Sequence, residues 1–421
     1  MYTHMGSDSS PKTDSILKHL IAPNEREFVS QFLEESIGCA QDDCPDDLAN
    51  FIFHVLSRQE EVENAERDSL GRWQASLSKD GGQESASFPN IDEKLARLGD
   101  ELARRYPDRK RKTRWPEGRP FALCLSHDVD YVSTRGHVGK FFRRFGRIFT
   151  GGGSRAMSAK LTLGSVYRLA TTIGRPDGYS NFNRWLEFED NFGFRSTFYF
   201  CPSEITKAHV FDTDYKYSDQ VVFAGTKITV AEMIRQIKSR GWDIGLHGSY
   251  YSATDPALLR EQKKELESVL GTPVLSCRQH YLQYDIKQTP KLQSDAGFLA
   301  DSTQGFTVSN GFRAQTSLPY PCWDVKAGVT LPILEIPLHV MDTALFYGSD
   351  APANEEEAVQ QVLTIMDKVE RVHGCLTLNW HPHNIARPAL WNTYCRVLEE
   401  AHRRGAWGCS VEQLLHWWEQ E

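Results

Sequence analysis

Phe-Ala-Leu-Cys-Leu-Ser-His-Asp-Val-Asp-Tyr, residues 121–131, decides how the rest of the chain is read. It begins as an apolar run of the length of a buried strand and ends by delivering two carboxylates, Asp128 and Asp130, to the rim of a sheet. Two carboxylates held that close cannot both ionise freely: one needs a cation or an arginine, and the other can be poised to take a proton. A metal hydrolase begins in this way. A strand end whose two aspartates only cap a following turn gives the same local pattern, so the sequence downstream has to arbitrate.

Working outward, short β-rich runs at residues 122–125, 196–200, 242–246, 274–277, 334–337 and 376–380 alternate with helical periodicity at 181–191, 230–240, 256–270, 289–296, 355–373 and 389–405. This alternation predicts an α/β fold in which a parallel sheet is covered by helices, with the site at the carboxyl ends of the strands. The polar residues of interest all fall there: Asp128 and Asp130, then His247, then Arg278 and His280, then His381 and His383. A lone histidine after a strand is usually a hydrogen-bonded structural residue. Groups at equivalent ends of successive strands would converge on one spot, and that coincidence carries the reading. His127 and His383 flank key positions and are read as structural neighbours.

Upstream the texture differs. Residues 1–13 are a polar, flexible tail with neither the basic start nor the apolar stretch of a signal peptide. Residues 14–105 are mostly helical, with apolar residues at three-and-four spacing over 25–37, 48–63 and 91–105. Between them, residues 67–89 are polar and Gly-rich and bring Asp68, Gly71 and Arg72 close together, without a constellation that does chemistry by itself. A basic linker at 106–120, rich in Pro and Gly, leads into the α/β unit at 121–421. Within that unit, residues 138–149 place Val138, Phe141, Phe142, Phe145, Ile148 and Phe149 on one helical face, with Lys140, Arg143, Arg144 and Arg147 elsewhere. Such a face either packs on the barrel or makes peripheral contact with an anionic membrane.

Of the 421 residues, 40% are hydrophobic and 25% charged, as in ordinary soluble proteins, and no window approaches eighteen consecutive apolar residues. Nine scattered cysteines without a Cys-x-x-Cys pair point to buried thiols in the cytoplasm, extending to the inner face of the membrane if 138–149 lies on it. The net charge of −8 gives no reason to expect a nucleic acid partner. Oligomeric state is not set by any of these features.

Residues 117–421 resemble a polysaccharide deacetylase, the NodB homology domain of carbohydrate esterase family 4. Leu-Ser-His-Asp-Val-Asp resembles the spaced variant of the first family motif, which makes Asp128 the base and Asp130 a metal ligand. Gly-Phe-Arg-Ser-Thr-Phe-Tyr-Phe at 193–200 is similar to the second strand, and the run 241–247 to the one that ends in the metal histidine, here His247. Ser-Cys-Arg-Gln-His-Tyr at 276–281 is similar to the motif whose arginine orients the base, here Arg278. Residues 296–306 are similar to the Ala-Gly-Phe...Asp-Ser motif that contains Asp301, and 378–381 to the closing segment whose histidine, His381, is the general acid. The resemblance implies an irregular (β/α) barrel with a smaller, largely helical N-terminal region. It also implies a divalent metal, most simply Zn²⁺ with Co²⁺ or Mn²⁺ as substitutes, and removal of an acetyl group from an N-acetylated sugar or polysaccharide.

Two departures qualify it. The family's second metal histidine, four residues after the first, is here Tyr251, a poor third ligand near neutral pH. His280 stands where the family has Pro and is expected to replace the missing ligand. Asn379-Trp380 precede His381 where many members carry a pocket-lining leucine, which leaves the substrate shape open. Residues 53–75, with Asp-x-x-Gly-Arg-Trp, are similar to the region that precedes this domain in a bacterial subgroup with the same departures.

The expected reaction is amide hydrolysis. Asp128 takes a proton from water, Arg278 keeps that carboxylate ionised, and His381 protonates the leaving nitrogen, with Asp301 orienting its imidazole. The polar, aromatic stretch 211–219 has the composition of a loop that grips sugars. A metal-free carbohydrate-binding barrel and a hydrolase of a non-sugar amide such as a cyclic ureide stand as alternatives.

Overall fold

The computed structural model describes residues 21–39, 41–78, 82–108, 113–133, 181–201, 209, 212–213 and 215–420; the tail 1–13 and the basic stretch 138–149 lie outside them. Ala122–Val129 (β1) is buried at every position, as expected of a strand at the centre of a parallel sheet with helices on its outer face. Its odd-numbered side chains, Leu123, Leu125 and Val129, join the core beneath the surrounding helices. Ala122 and Cys124 instead join Tyr199, Ala300 and Leu334 in the other core. Strand alternation therefore puts Ser126, Asp128 and Asp130 on the face of Ala122 and Cys124, where small residues leave room at the centre of the curled sheet.

The remaining strands are Thr197–Phe200 (β2), Gln220–Phe223 (β3), Thr226–Thr229 (β4), Asp243–Gly248 (β5), Ser276–Gln279 (β6), Ala300–Asp301 (β7), Tyr320–Asp324 (β8), Val329–Glu335 (β9), Val340–Met341 (β10), Cys375–Asn379 (β11) and Trp407–Cys409 (β12). They run β10-β11-β1-β2-β5-β6-β7-β9-β8, with β12 also on β1 and β3-β4 as a separate hairpin. Neighbours in the main sheet are parallel except β8 and β9. The result is a half-barrel, an irregular mixed α/β sheet whose path ends at β10 and β8. One edge of β1 pairs with β11; the other is divided, Ala122–Cys124 pairing with β12 and Ser126–Val129 with β2. Parallel pairing brings the carboxyl ends of β1, β2, β5, β6 and β11 to one rim.

The helices at Phe182–Asp190, Val230–Ser239, Pro256–Leu270, Thr289–Asp295, Glu355–Arg371 and Pro388–Arg403 match the expected periodic stretches. The expected single helix over 48–63 is two, Asp46–Leu56 and Gln59–Glu63, because Arg58 between them adopts a left-handed conformation (φ 57). That turn aims its guanidinium at Glu61 and at the Arg313 carbonyl (2.6 Å), while Arg313 Nη2 bonds Glu61 Oε2 (2.8 Å). Burial pushes the Glu61 carboxyl up, and Arg313 and Arg58 outweigh it, holding it at about 2. Phe28 and Phe53 meet Trp323 of β8 edge-on at 5.5 and 5.2 Å, so the N-terminal helices share a core with the sheet.

Candidate functional site

Asp128, next to the last residue of β1, is gripped by three hydrogen bonds with two residues. Arg278 Nη1, from β6, donates to Oδ1 (3.1 Å) and Asn379 Nδ2, from β11, to Oδ2 (2.7 Å), while the Asp128 amide donates to Asn379 Oδ1 (3.1 Å). Arg278 is wholly buried and fixed in turn by Ser126 Oγ (2.8 Å), the Ser302 carbonyl (2.7 Å) and Ser302 Oγ (2.8 Å). Its guanidinium lies over the ring of Tyr199 at 4.6 Å, and the ring has this place only because Gly245 offers no side chain, since a Cβ there would sit 2.3 Å from Tyr199 Cε1. Burial raises the Asp128 carboxyl, but His247, Arg278 and His381 overcome it and hold it below the ordinary range.

Asp130 lies two residues further, where the chain leaves the sheet. His247 Nε2 is 3.6 Å and His280 Nε2 3.3 Å from its Oδ1, and His381 Nε2 is 3.7 Å from its Oδ2. Asp130 Oδ1 is buried and accepts no hydrogen bond. Each imidazole has a fixed tautomer. His247 Nδ1 donates to the Arg278 carbonyl (2.9 Å), which can only accept, and His280 Nδ1 donates to Asp212 Oδ1 (3.2 Å). In the neutral form both rings would turn an Nε2 lone pair toward Asp130. The three atoms lie within 4.8 Å of one another. A tetrahedral ion bonded at about 2.0–2.1 Å spaces its ligand atoms by roughly 3.3–3.5 Å, so one carboxylate oxygen without a donor and two oriented imidazoles fit a Zn²⁺-like ion.

His381 approaches from the opposite side. Its Nδ1 donates to Asp342 Oδ1 (2.6 Å) and its amide to Asp342 Oδ2 (2.9 Å), with Asn384 Nδ2 on the same oxygen (2.6 Å). Burial would lower this imidazole, but Asp342, Asp130 and Asp128 raise it to about 10. His280 is likewise raised to about 9, its burial outweighed by Asp130 and Asp212.

Six of the seven residues singled out in the sequence meet here: Asp128, Asp130, His247, Arg278, His280 and His381. Asp301 does not orient His381. It lies in β7 beneath the rim, accepting from Gln293 Nε2 (2.8 Å) and Thr303 Oγ1 (2.6 Å), and the orienting carboxylate is Asp342 at the end of β10. Three side chains that hold these groups in place do not stand out in the sequence: Asp342, Asn379 as the partner of Asp128, and Asp212, which stands in the polar 211–219 stretch and accepts from His280 Nδ1. Tyr251 is 37% exposed at the mouth. His127 faces away, bonded to the Trp380 carbonyl (2.7 Å) and Glu189 Oε1 (2.8 Å), and Trp380 packs on Tyr394 in the core.

No protein-family model matches the chain, and no curated protein matches it. Solved structures similar to it include two proteins assigned as polysaccharide deacetylases. The one from Mycobacterium smegmatis is 19% identical with a TM-score of 0.47, over 73% of this chain and 92% of that one. The one from Pseudomonas aeruginosa PAO1 is 17% identical with a TM-score of 0.46, over 75% and 96%. PuuE allantoinase is also similar, at 16% identity and a TM-score of 0.45, over 75% and 95%. At these TM-scores the function has to be read from the side chains.

Proposed function

We propose that the chain is a metal-dependent hydrolase that removes an acetyl group from an N-acetylated sugar or polysaccharide intermediate. The observation that carries this reading is Asp130 Oδ1, buried without a donor between two imidazole Nε2 atoms, with Asp128 and His381 on either side. Asp130, His247 and His280 would hold a divalent ion, most simply Zn²⁺, with Co²⁺ or Mn²⁺ able to stand in. When bound, such an ion polarises the acetyl carbonyl and lowers the pKa of a neighbouring water toward about 7. Asp128 then accepts the proton of the attacking water. Arg278 and Asn379 keep that carboxylate ionised and aimed. His381, held as the imidazolium by Asp342, donates a proton from Nε2 to the departing nitrogen, a step expected to contribute roughly 10²–10⁴-fold.

The sugar as substrate rests on the motif resemblance of residues 117–421 and on the aromatic residues near the mouth, where the Tyr250 and Tyr251 rings stand 5.4 Å apart. The test is a metal analysis of protein purified without chelators, joined to assays of acetate and amine release from acetylated sugars, nucleotide sugars and ureides. One ion per chain and acetate release are expected. Neither a bound ion nor hydrolysis on adding Zn²⁺, Co²⁺ or Mn²⁺ would leave a carbohydrate-binding barrel. Turnover of ureides alone would move the substrate to a non-sugar amide.

A further inference from the structure

Asp-x-x-Gly-Arg at residues 68–72 belongs to the N-terminal region and takes no part in the chemistry above, yet it folds into a turn that reaches the mouth of the site. Asp68 builds the turn: Oδ1 accepts from the amides of Leu70 and Arg72 (both 2.9 Å), and Oδ2 from Arg72 Nε and Gln74 Nε2 (both 2.9 Å). Gly71 supplies the left-handed residue it needs (φ +80). Gln74 Nε2 also reaches Thr307 Oγ1 (2.8 Å), and Trp73 is buried beside Phe306, which ties the turn to the barrel.

What this turn offers the site is the Leu70 carbonyl and the Arg72 guanidinium. The Tyr250 hydroxyl (3.2 Å) and Gln283 Nε2 (3.1 Å) both donate to Leu70, and Arg72 Nη1 donates to the Tyr281 carbonyl (3.4 Å). Of these, Tyr281 follows His280 and its ring stands 4.9 Å from the imidazole, the Gln283 amide donates to the His280 carbonyl (3.3 Å), and the Tyr250 ring packs on Tyr281. Tyr281 and Leu282 have φ 59 and 51, a conformation that side chains rarely adopt unless their surroundings impose it. The Tyr250 amide donates to Asp212 Oδ1 (2.8 Å), the same oxygen that fixes His280 Nδ1.

We infer that segment 68–74 is a positioning element of the metal site, setting the direction of the His280 imidazole from outside the barrel. This rests on the metal-dependent reading proposed above. With Tyr251 four residues after His247, the second imidazole nitrogen comes from the left-handed turn after β6. A ligand on such a turn is aimed only if both its far nitrogen and the backbone behind it are held. Asp212 does the first, and the Leu70 and Arg72 contacts do the second.

The test measures Zn²⁺ affinity by competition with a chromophoric chelator, and Co²⁺ binding by visible absorption, in Asp68→Ala, Arg72→Ala, Arg72→Lys and Tyr250→Phe. Loss of an outer partner of a metal ligand is expected to weaken Zn²⁺ binding by about 10-fold in Asp68→Ala and Arg72→Ala. Loss of one hydrogen bond in Tyr250→Phe should weaken it by about 3-fold. Arg72→Lys should recover part of the loss, the Co²⁺ band should change shape, and melting in the presence of chelator should stay that of the wild type. Wild-type affinities in all the variants, beside a fall in Asp212→Asn, would overturn the positioning role and leave the metal reading intact. A wild-type protein that binds neither ion would overturn both. If Asp68→Ala does not fold, Tyr250→Phe and Gln283→Ala, each removing a single bond to Leu70, decide the matter.

Discussion

Among the described residues, one pair of carboxyls stands at the rim of the site and another is sealed beneath it, and their surroundings push the two pairs in opposite directions. Asp128 and Asp130 face His247, His280, His381 and Arg278. Burial raises both, but the positive charge around them wins and leaves both below the ordinary range, Asp130 far below. Asp301 and Glu335, direct partners on β7 and β9, face Gln293, Thr303 and the Gln304 amide. Arg313, a cation within reach of Glu335, is already paired with Glu61. Burial therefore raises both members of this second pair, and repulsion from Asp301 raises Glu335 further. Glu335 Oε2 is buried without a hydrogen-bond partner, so nothing at that oxygen favours the charged form. Depth alone does not decide whether a carboxyl is charged; the sign of its neighbours does.

The comparison can be broken most decisively at the ionised pair. Asp130→Ala and His247→Ala should lose bound Zn²⁺ and, with it, several kcal/mol of transition-state stabilisation, roughly 10³-fold or more in kcat/KM, read by metal content and acetate release. Asp128→Asn should keep the ion and lose about 10²–10⁴-fold in kcat. Equal metal loss in Asp128→Asn and Asp130→Ala would show the two aspartates to be exchanged in role. A smaller effect separates Asp342 from Asp301. Asp342→Asn should lower kcat by about 10–100-fold by releasing the His381 imidazole. Asp301→Asn should leave kcat close to that of the wild type and cost about 1–3 kcal/mol in urea stability.

The smallest effect concerns pH. Glu335 is raised well above its ordinary 4.5, so the folded state keeps a proton that the unfolded chain gives up above that pH. Its contribution to stability is therefore greatest below about pH 4.5 and falls as pH rises, by up to about 1.4 kcal/mol per pH unit, until the pair ionises. Glu335→Gln has no proton to release, so its stability relative to the wild type should improve from about pH 5 to about pH 8 in urea titrations. A difference that does not change with pH would mean that Glu335 ionises normally in the fold.

Five of the six expected strands lie within about four residues of observed ones, and the sixth, expected at 334–337, overlaps only the end of Val329–Glu335. Ala300–Asp301, Val340–Met341 and Trp407–Cys409 are too short to show any alternation. The site was legible where its residues end apolar runs, as Asp128, His247, Arg278 and His381 do. The error over Asp301 has the same origin. Asp301 and Asp342 each stand at the end of a two-residue strand, and only the pairing of Val340 and Met341 with Leu378 and Asn379 decides which one meets His381. Local sequence does not contain that neighbour. Asp68 and Arg72 are visible as a cluster, but their use depends on contacts far along the chain, such as that of Arg72 with Tyr281 at a separation of 209.

The divided edge of β1 has a consequence for how the molecule is made. The strand that carries Asp128 is flanked by residues 375–379 on one side and by residues 407–409 and 197–200 on the other. During synthesis β1 and β2 can form together, yet the seat of the two aspartates stays half-built until residues 375–409 have emerged. The side chains at this rim would then come together in one late event, so a partly made chain would not hold the two aspartates in their final surroundings.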